Sequence, residues 1–360
     1  MSGFSIRIMD RSFQNPLTLP PVKFMPERYS FAALGGPRAA VVQVDATEER
    51  AIWELLEYLR CPVEIYDERE TCVWWGYISE VEINVGKLKV GVSLDTMYNS
   101  VAVMYTANNA KAMTAFAYDN VSVATYGVKE LVVTLSEANE QTALSYRDNL
   151  LIMSKYPTPK IDIAENNKIS ATINCDGWIT TLDWKYYSYV YSGDLSNKTQ
   201  IENIVNSAGQ FLTGVDWRGT ISTPSSDPNR NGDTTALHNL LNLLDAGSGN
   251  KRLLAQVTRD RRLLVYPEPD SDPYRPDMYL LSDGTVQNIW GDPYYASVCP
   301  VGVWARLKDV IPGSVDLGLI ADPTMLFIEE AEYDIARRRY LPTARLQKNP
   351  LSIGTRLSDG

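Results

Sequence analysis

The sequence predicts a mainly β chain with a few amphipathic helices, an α+β class, on three observations. From Val73 to Val85 apolar and polar residues alternate, with Val81, Ile83 and Val85 on one face and Glu80, Glu82 and Asn84 on the other. A period of two is the signature of a half-buried strand, and outward acids at two-residue spacing suit the wet face of an antiparallel sheet. Gly86-Lys87 then breaks the run and Leu88, Val90, Val92 and Leu94 resume it, which makes a hairpin. Helical spacing recurs only in short stretches between Pro- and Gly-rich breaks.

The elements follow in order. Strands are expected at Phe4–Met9, Tyr29–Leu34 and Ala39–Val44. Asp45 and Glu48 form a capping box for a helix with Ile52, Leu55, Leu56 and Leu59 inward, stopped by Cys61-Pro62. Val63–Tyr66 and the long hairpin come next, joined by the turn Asp67-Glu-Arg-Glu, then strands at Val101–Tyr105 and Lys129–Leu135. Ser136 is placed as the cap of a second helix, which Tyr156-Pro157-Thr158-Pro159 ends. Ile161–Ile163 and Ile169–Ile173 are strands, and "WKYYSYVY" is expected to continue the sheet with rings on both faces. A third helix lies near Thr199–Leu212. A fourth is capped by Asp233, turns Leu237, Leu240, Leu241 and Leu244 inward, and ends at Gly247. Arg252–Thr258 against Arg262–Tyr266, a strand near Met278–Leu281 and further strands to about Tyr333 complete the chain. A helix followed by a hairpin occurs twice, at 45–78 and 233–267, as a faint internal echo.

Composition narrows the function. At 360 residues the chain exceeds a usual single core, so two or three domains are expected. A net charge of −10 disfavours wrapping nucleic acid, which needs a basic stripe. No apolar run approaches about 18 residues and the first residues lack an apolar leader, so neither a membrane-spanning segment nor a signal peptide is expected. Cys61, Cys72, Cys175 and Cys299 form no CxxC pair, and His238 is the only histidine. They are expected to be free thiols, with no metal site and no cofactor. No nucleophile elbow, P-loop or GxGxxG is present, so His238 is expected on a helix surface rather than in a catalytic site.

Several segments in order resemble one family. They are "YSFAALGGPRAA", "CPVEIYDERETCVWWGYISEVE" with "VGVSLDTM", "ATYGVKE" and "CDGWITTLDWKYY", followed by "DTTALHNLLNLLDAGSGNKRLLAQVTRDRRLLVYPEP" and "CPVGVWARLKDVIPG". Together they are similar to the tail hub, or baseplate hub, proteins of long-tailed bacteriophages. The resemblance spans essentially the whole chain and rests on the order of short pieces, none of them catalytic. It implies a non-enzymatic structural virion protein of the distal tail tip, assembled in the host cytoplasm. Such hubs are homotrimers in which each chain supplies two tail-tube-like β-barrels, so that three chains match a sixfold tube to a threefold tip. A small α/β inserted or accessory domain accompanies the barrels. The implied division is 1–115, a first barrel with one helix; 116–195, a helix and strands beginning a second barrel; 196–284, a helix-hairpin accessory domain; and 285–360, strands completing the second barrel and a polar tail. The implied partners are further copies of itself, the distal tail or tail tube protein, the tape-measure protein, and fibre or spike proteins. DNA would pass through the channel during genome ejection without specific binding. Because the chain stops at Gly360 after "KNPLSIGTRLSDG", no receptor-binding or peptidoglycan-cleaving extension is expected.

Two rival readings remain. A glycosidase needs paired carboxylates, and Asp176 and Asp183 amid Trp178, Trp184, Tyr186 and Tyr187 are the best candidates. A carbohydrate-binding adhesin would use the 8 Trp and 21 Tyr as stacking rings. The same rings suit protein interfaces, and Trp74, Trp75, Trp184, Tyr186, Tyr187 and Trp304 are the interface candidates. Arg259, Arg261 and Arg262, in a hairpin turn, are expected outside the channel; salt bridges between subunits are the alternative role for them.

Overall fold

The computed structural model describes residues 3–107, 110–136, 138–163, 168–187, 195–227, 234–272, 275–308 and 325–346. The fold is mainly β with short helices. Its principal sheet starts from β1 (Ser5–Ile8), β2 (Lys23–Ala32) and β3 (Leu34–Asp45). After α1 (Glu49–Trp53) come β4 (Pro62–Tyr66), β5 (Cys72–Val85) and β6 (Leu88–Ser93). The alternation along β5 sorts its side chains as the pattern demands. Val81 and Ile83 are fully buried, while Glu80 and Glu82 are only half-buried.

A smaller sheet follows, with β7 (Ser100–Ala107), β8 (Ala110–Met113), β9 (Ala117–Tyr118) and β10 (Glu130–Leu135). β7 and β10 run parallel, joined by a crossover that contains α2 (Asn120–Tyr126). α3 (Glu140–Ser154) packs on this sheet through Ala143, against Val103 and Tyr105. The chain then returns to the large sheet as β11 (Lys160–Ile163) beside β6, and as β12 (Ser170–Asp176). β12 fills the space between β3 and β5, with Ile173 opposite both Val42 and Val81.

The remaining elements are β13 (Tyr186–Tyr187), α4 (Asn197–Ala208), β14 (Gly214–Trp217), β15 (Thr234–Thr235) and α5 (Ala236–Asp245). They continue with β16 (Leu253–Val257), β17 (Arg262–Pro267), β18 (Met278–Leu281), β19 (Val286–Gln287), β20 (Trp304–Lys308), β21 (Met325–Asp334) and β22 (Arg339–Leu346). β21 pairs with β2, and β16 joins β3, so residues from all parts of the chain share one 16-stranded sheet. The sheet curls like a half-barrel. Among the described residues no ladder closes a ring, so the barrels expected from the sequence are met as open, curled sheet. The helix-then-hairpin echo is present as α1 before β4–β5 and α5 before β16–β17.

Several local expectations are corrected. Asp45 still pairs with Lys23 and Ser170 in the sheet, so the helix begins later. Glu48 occupies its cap position and makes no side-chain capping bond. Only one turn is α-helical before Glu54–Tyr58 tightens to a 3-10 helix, although Ile52, Leu55 and Leu59 are buried as expected. Asn139, not Ser136, caps α3, accepting from the Thr142 N–H at 2.8 Å. Thr235 caps α5, and Asp233 lies outside the described residues. α5 also buries Leu240, Leu243 and Leu244 and leaves Leu241 exposed, so its apolar stripe is rotated from the expected one. Trp178–Trp184 is a 3-10 helix, and strand character is confined to Tyr186–Tyr187. Thr180 and Thr181 hydroxyls donate to the carbonyls of Gly177 and Trp178, which favours the tight turn over a ladder. Ser188–Tyr191 lie outside the described residues. α2 has no counterpart among the elements the sequence predicts. Its sequence, NVSVATY, is rich in β-branched residues, and it is held by Asp119 capping Ser122 and by the Ser122 hydroxyl, which donates to the Lys155 carbonyl at 2.5 Å.

Candidate assembly surface

Three of the six predicted interface rings lie inside the protomer. Trp74 is 0% exposed, Trp184 6% and Trp304 5%, so these three have almost no surface to offer a partner. Trp75 is half-buried. Its Nε1 donates to the Val257 carbonyl at 3.0 Å and its ring meets Phe31 edge-on. Tyr186 and Tyr187 are also half-buried, and the Tyr186 N–H donates to Glu130 at 2.8 Å. The physical reason is burial: "GWITTLDW" folds into a turn that drives Trp178 and Trp184 onto Tyr77 and Phe211, with centroids 5.0–5.9 Å apart.

A cation belongs to that aromatic nucleus. Arg60 is 4% exposed and stacks between Phe13 and Phe211, at 5.6 and 5.1 Å, and one of its amines donates to the Arg11 carbonyl. Among the described residues no carboxylate pairs with it directly, and burial pushes its pKa down to about 10 although Asp10 acts weakly the other way. The ring faces take the place of an anion.

The three arginines of the β16–β17 turn have partners within their own chain. Arg259 makes a forked bond to Glu64 at 2.7 and 2.9 Å and reaches the Tyr66 hydroxyl. Arg261 lies over Phe13 at 3.6 Å, and Arg262 forks onto Asp216 at 2.7 Å. They clamp the turn to β4 and β14 rather than waiting free for a neighbour.

The two candidate carboxylates sit in different surroundings. Asp176 ends β12, where burial pushes its carboxyl pKa up. Asp183 is exposed on the 3-10 turn and accepts from the Thr235 hydroxyl at 2.7 Å. Glu80 accepts from Asn174, and Glu82 pairs with Lys89 at 2.8 Å. His238 is half-buried beside the α5 stripe. All four cysteines are free thiols, with Cys61, Cys175 and Cys299 buried and Cys72 partly so. Among the described residues no group of three or more His, Cys, Asp or Glu is arranged to hold a metal ion, and no helix is long and apolar enough to cross a membrane.

What the chain does leave open is apolar. In the β5–β6–β11 arm, Val81 opposes Val92, Ile83 opposes Val90, Val85 opposes Leu88, and Leu88 and Val90 in turn oppose Ile163 and Ile161. Opposed residues in a ladder share a face, so this is one continuous face of the sheet. It is core at Val81 and Val92 and runs out into solvent at its far edge, where Ile161 is 68% exposed and Ile163 84%. β11 pairs only with β6, and its other edge has no strand against it among the described residues. Exposed Ile152, Met153 and Tyr156, at the end of α3, lie just before this strand in the chain. Soluble proteins protect such edges with charge, proline or a bulge, or cover them with another chain.

A second exposed feature is Trp290, 79% exposed. The Asn288 side chain accepts from the N–H groups of Trp290 and Asp292, both at 2.9 Å, and fixes the turn that presents the ring. Sequence reasoning missed Ile161, Ile163 and Trp290 as surface features. Alternation in "KIDI" reveals a strand, but not that its apolar face outruns the core. The Asn288…Gly291-Asp292-Pro293 turn signal around a tryptophan was the one clue to Trp290.

No family model matches the chain, and no curated protein matches it. Two solved structures align along nearly all of it. One is the tail protein from Neisseria meningitidis MC58, with TM-score 0.42 and 7% identity, covering 96% of this chain and 97% of that one. The other is the 43 kDa tail protein of prophage MuSo2 from Shewanella oneidensis, with TM-score 0.44 and 9% identity, covering 97% of both. A superposition this loose says nothing about which residues act or on what.

Proposed function

We propose that the chain is a structural subunit of a phage tail, the hub at its distal end. In this reading it assembles as a homotrimer that adapts a sixfold tube to a threefold tip and lines the DNA exit. The observation that carries the reading is the open apolar face at Ile161 and Ile163 on an edge strand whose outer side has no strand against it among the described residues, a surface that asks for another protein. The ordered sequence segments that resemble tail hubs supply the kind of assembly. The work of such a subunit is association rather than catalysis. Its proposed contacts are its own copies, the tube and tape-measure proteins, and a fibre or spike. A channel that must release DNA is best lined with more acids than bases, because basic walls hold phosphates through counterion release, and the −10 charge supplies the acids. Arg259, Arg261 and Arg262, engaged within the protomer, fit a position away from that wall. Mass measurement of the chain and imaging of the assembled particle test the reading. Three copies at the tail tip are expected, and a monomeric or strictly sixfold placement overturns it.

One observation favours a second reading, a carbohydrate-binding adhesin module of the tail tip. Trp290 is exposed on a turn that Asn288 fixes, beside a cavity of about 380 Å³ that Tyr279 also lines. A glycan array separates the two. Binding lost in Trp290→Ala favours the adhesin, and no binding leaves the hub.

A further inference from the structure

A second cavity, of about 470 Å³, lies between the β16–β17 hairpin and the Val301–Val303 segment. Gln256 opposes Leu264 and Leu254 opposes Tyr266, so Gln256 and Tyr266 rise from one face of the hairpin into this space. Gly302 forms the opposite wall with φ +71°. A β-carbon on Gly302 would lie 2.9 Å from the Tyr266 Oη and 3.5 Å from the Gln256 Nε2. The hydroxyl and the amide thus converge over one glycine, in space that only the missing side chain leaves free. Arg218 lines the same cavity, and its backbone N–H is tied to the Val265 carbonyl at 2.9 Å, which fixes where its side chain starts. Among the described residues the Arg218 guanidinium, the Tyr266 hydroxyl and the Gln256 amide have no hydrogen-bond or ion-pair partner. Three donors with no acceptor among the described residues therefore border one space.

We infer that this cavity binds a carboxylate, with Arg218 forking onto its two oxygens and Tyr266 and Gln256 donating to them from below. One cation and two neutral donors suit a single planar negative charge. A phosphate dianion fits less well, because among the described residues Arg218 is the one cation lining the cavity and Asp277, whose carboxylate accepts from the Trp304 N–H at 2.7 Å, already places a negative charge there. Burial raises the Tyr266 pKa to about 12, with Arg218 working the other way, so its hydroxyl keeps its proton and remains a donor at neutral pH. The carboxylate could be a free organic acid or the side chain of an acidic residue on a neighbouring protein. The inference stands apart from the assembly reading and does not depend on it.

The test titrates the full chain, with ¹³C-labelled tyrosines, against two probes at constant ionic strength, sodium acetate and N-acetyl-glutamate N-methylamide. The Tyr266 ring signal is assigned by its loss in Tyr266→Phe. It is expected to shift saturably with at least one probe. Arg218→Ala is expected to abolish the saturable shift and Arg218→Lys to weaken it about tenfold or more, since a lysine cannot fork. Arg218 is exposed, and an unchanged melting temperature confirms that the variants fold. Tighter binding of the glutamate probe identifies a protein side chain as the source, and acetate binding equally well identifies a free acid. Shifts that do not saturate with either probe, or that survive Arg218→Ala, overturn the site.

Discussion

The α-carbon of Gly76 faces the main-chain carbonyl of Asp176 so closely that a β-carbon on Gly76 would sit 2.2 Å from that oxygen. The obstacle is backbone on a neighbouring strand, paired through Tyr77 opposite Asp176, and it cannot swing aside. The same β-carbon would lie 2.5 Å from the ring of Trp74. Gly76→Ala is therefore expected to part β5 from β12 and to cost about 3 kcal/mol or more, the upper range for overpacking. Gly91 is the control, because a β-carbon there meets nothing nearer than 3.8 Å. Denaturant midpoints are expected to fall sharply for Gly76→Ala and to stay within about 1 kcal/mol for Gly91→Ala. Equal midpoints refute the close approach.

Trp74 gives the second prediction. Its ring is fully buried, but its Nε1 is buried without a partner among the described residues. Trp74→Ala empties a core site and is expected to cost about 3–5 kcal/mol. Trp74→Phe leaves a smaller void and removes the orphan donor, whose burial itself costs about 1–3 kcal/mol. The phenylalanine variant is therefore expected to retain most of the stability, which calorimetric melting measures.

Asp67 ties the first half of the chain to the last. Its carboxylate, 5% exposed, accepts from the N–H groups of Arg69 and Thr71, from the Arg69 guanidinium, and from the Ser297 hydroxyl at 3.1 Å. Burial opposes the charge, but these donors outweigh it and hold the carboxyl below the usual aspartate value of 3.8. A carboxyl depressed in the folded state stabilises fully above its unfolded pKa, and that contribution is lost as pH falls through the folded value. Asp67→Asn is therefore expected to destabilise at neutral pH, by about 1.5–3 kcal/mol for one charged hydrogen bond lost. The gap from wild type is expected to close as pH drops below 3.8. A gap that persists unchanged at low pH contradicts the assignment.

The parts legible in the sequence are those that one strand's alternation settles. β5 was readable because Val81 and Ile83 alternate with Glu80 and Glu82 over a long run, and hairpin turns leave Gly signals. α2 was not, because the cap at Asp119 is a weak local signal inside a β-branched run, and the bond from Ser122 to the Lys155 carbonyl, which overrides that propensity, is a tertiary fact. The aromatic segment misled for a related reason. Ring-rich residues fit a sheet or a turn equally well, and Thr180 and Thr181 decided for the turn by bonding back to its own backbone. The candidate surface was least legible, because exposure at Ile161 depends on where the core stops, and that is set by distant strands.

That surface carries the last prediction. Ile161 and Ile163 face outward on the edge of the β6–β11 ladder, and each adds little to the protomer's own packing. The double variant Ile161→Lys, Ile163→Lys is therefore expected to melt within about 0.5 kcal/mol of the wild type per site, as exposed substitutions do. Lysine is also the residue with which natural edge strands repel partners. If this edge is where copies meet, the wild type sediments as a trimer at concentrations where the double variant is a monomer. Thr158, whose N–H is anchored to the Thr96 hydroxyl at 3.0 Å, keeps the strand in place in both, so the comparison reads the side chains and not the arm's position. A double variant that sediments as the wild type does removes β11 from the contact and leaves the exposed end of α3, at Ile152 and Met153, as the surface to substitute next.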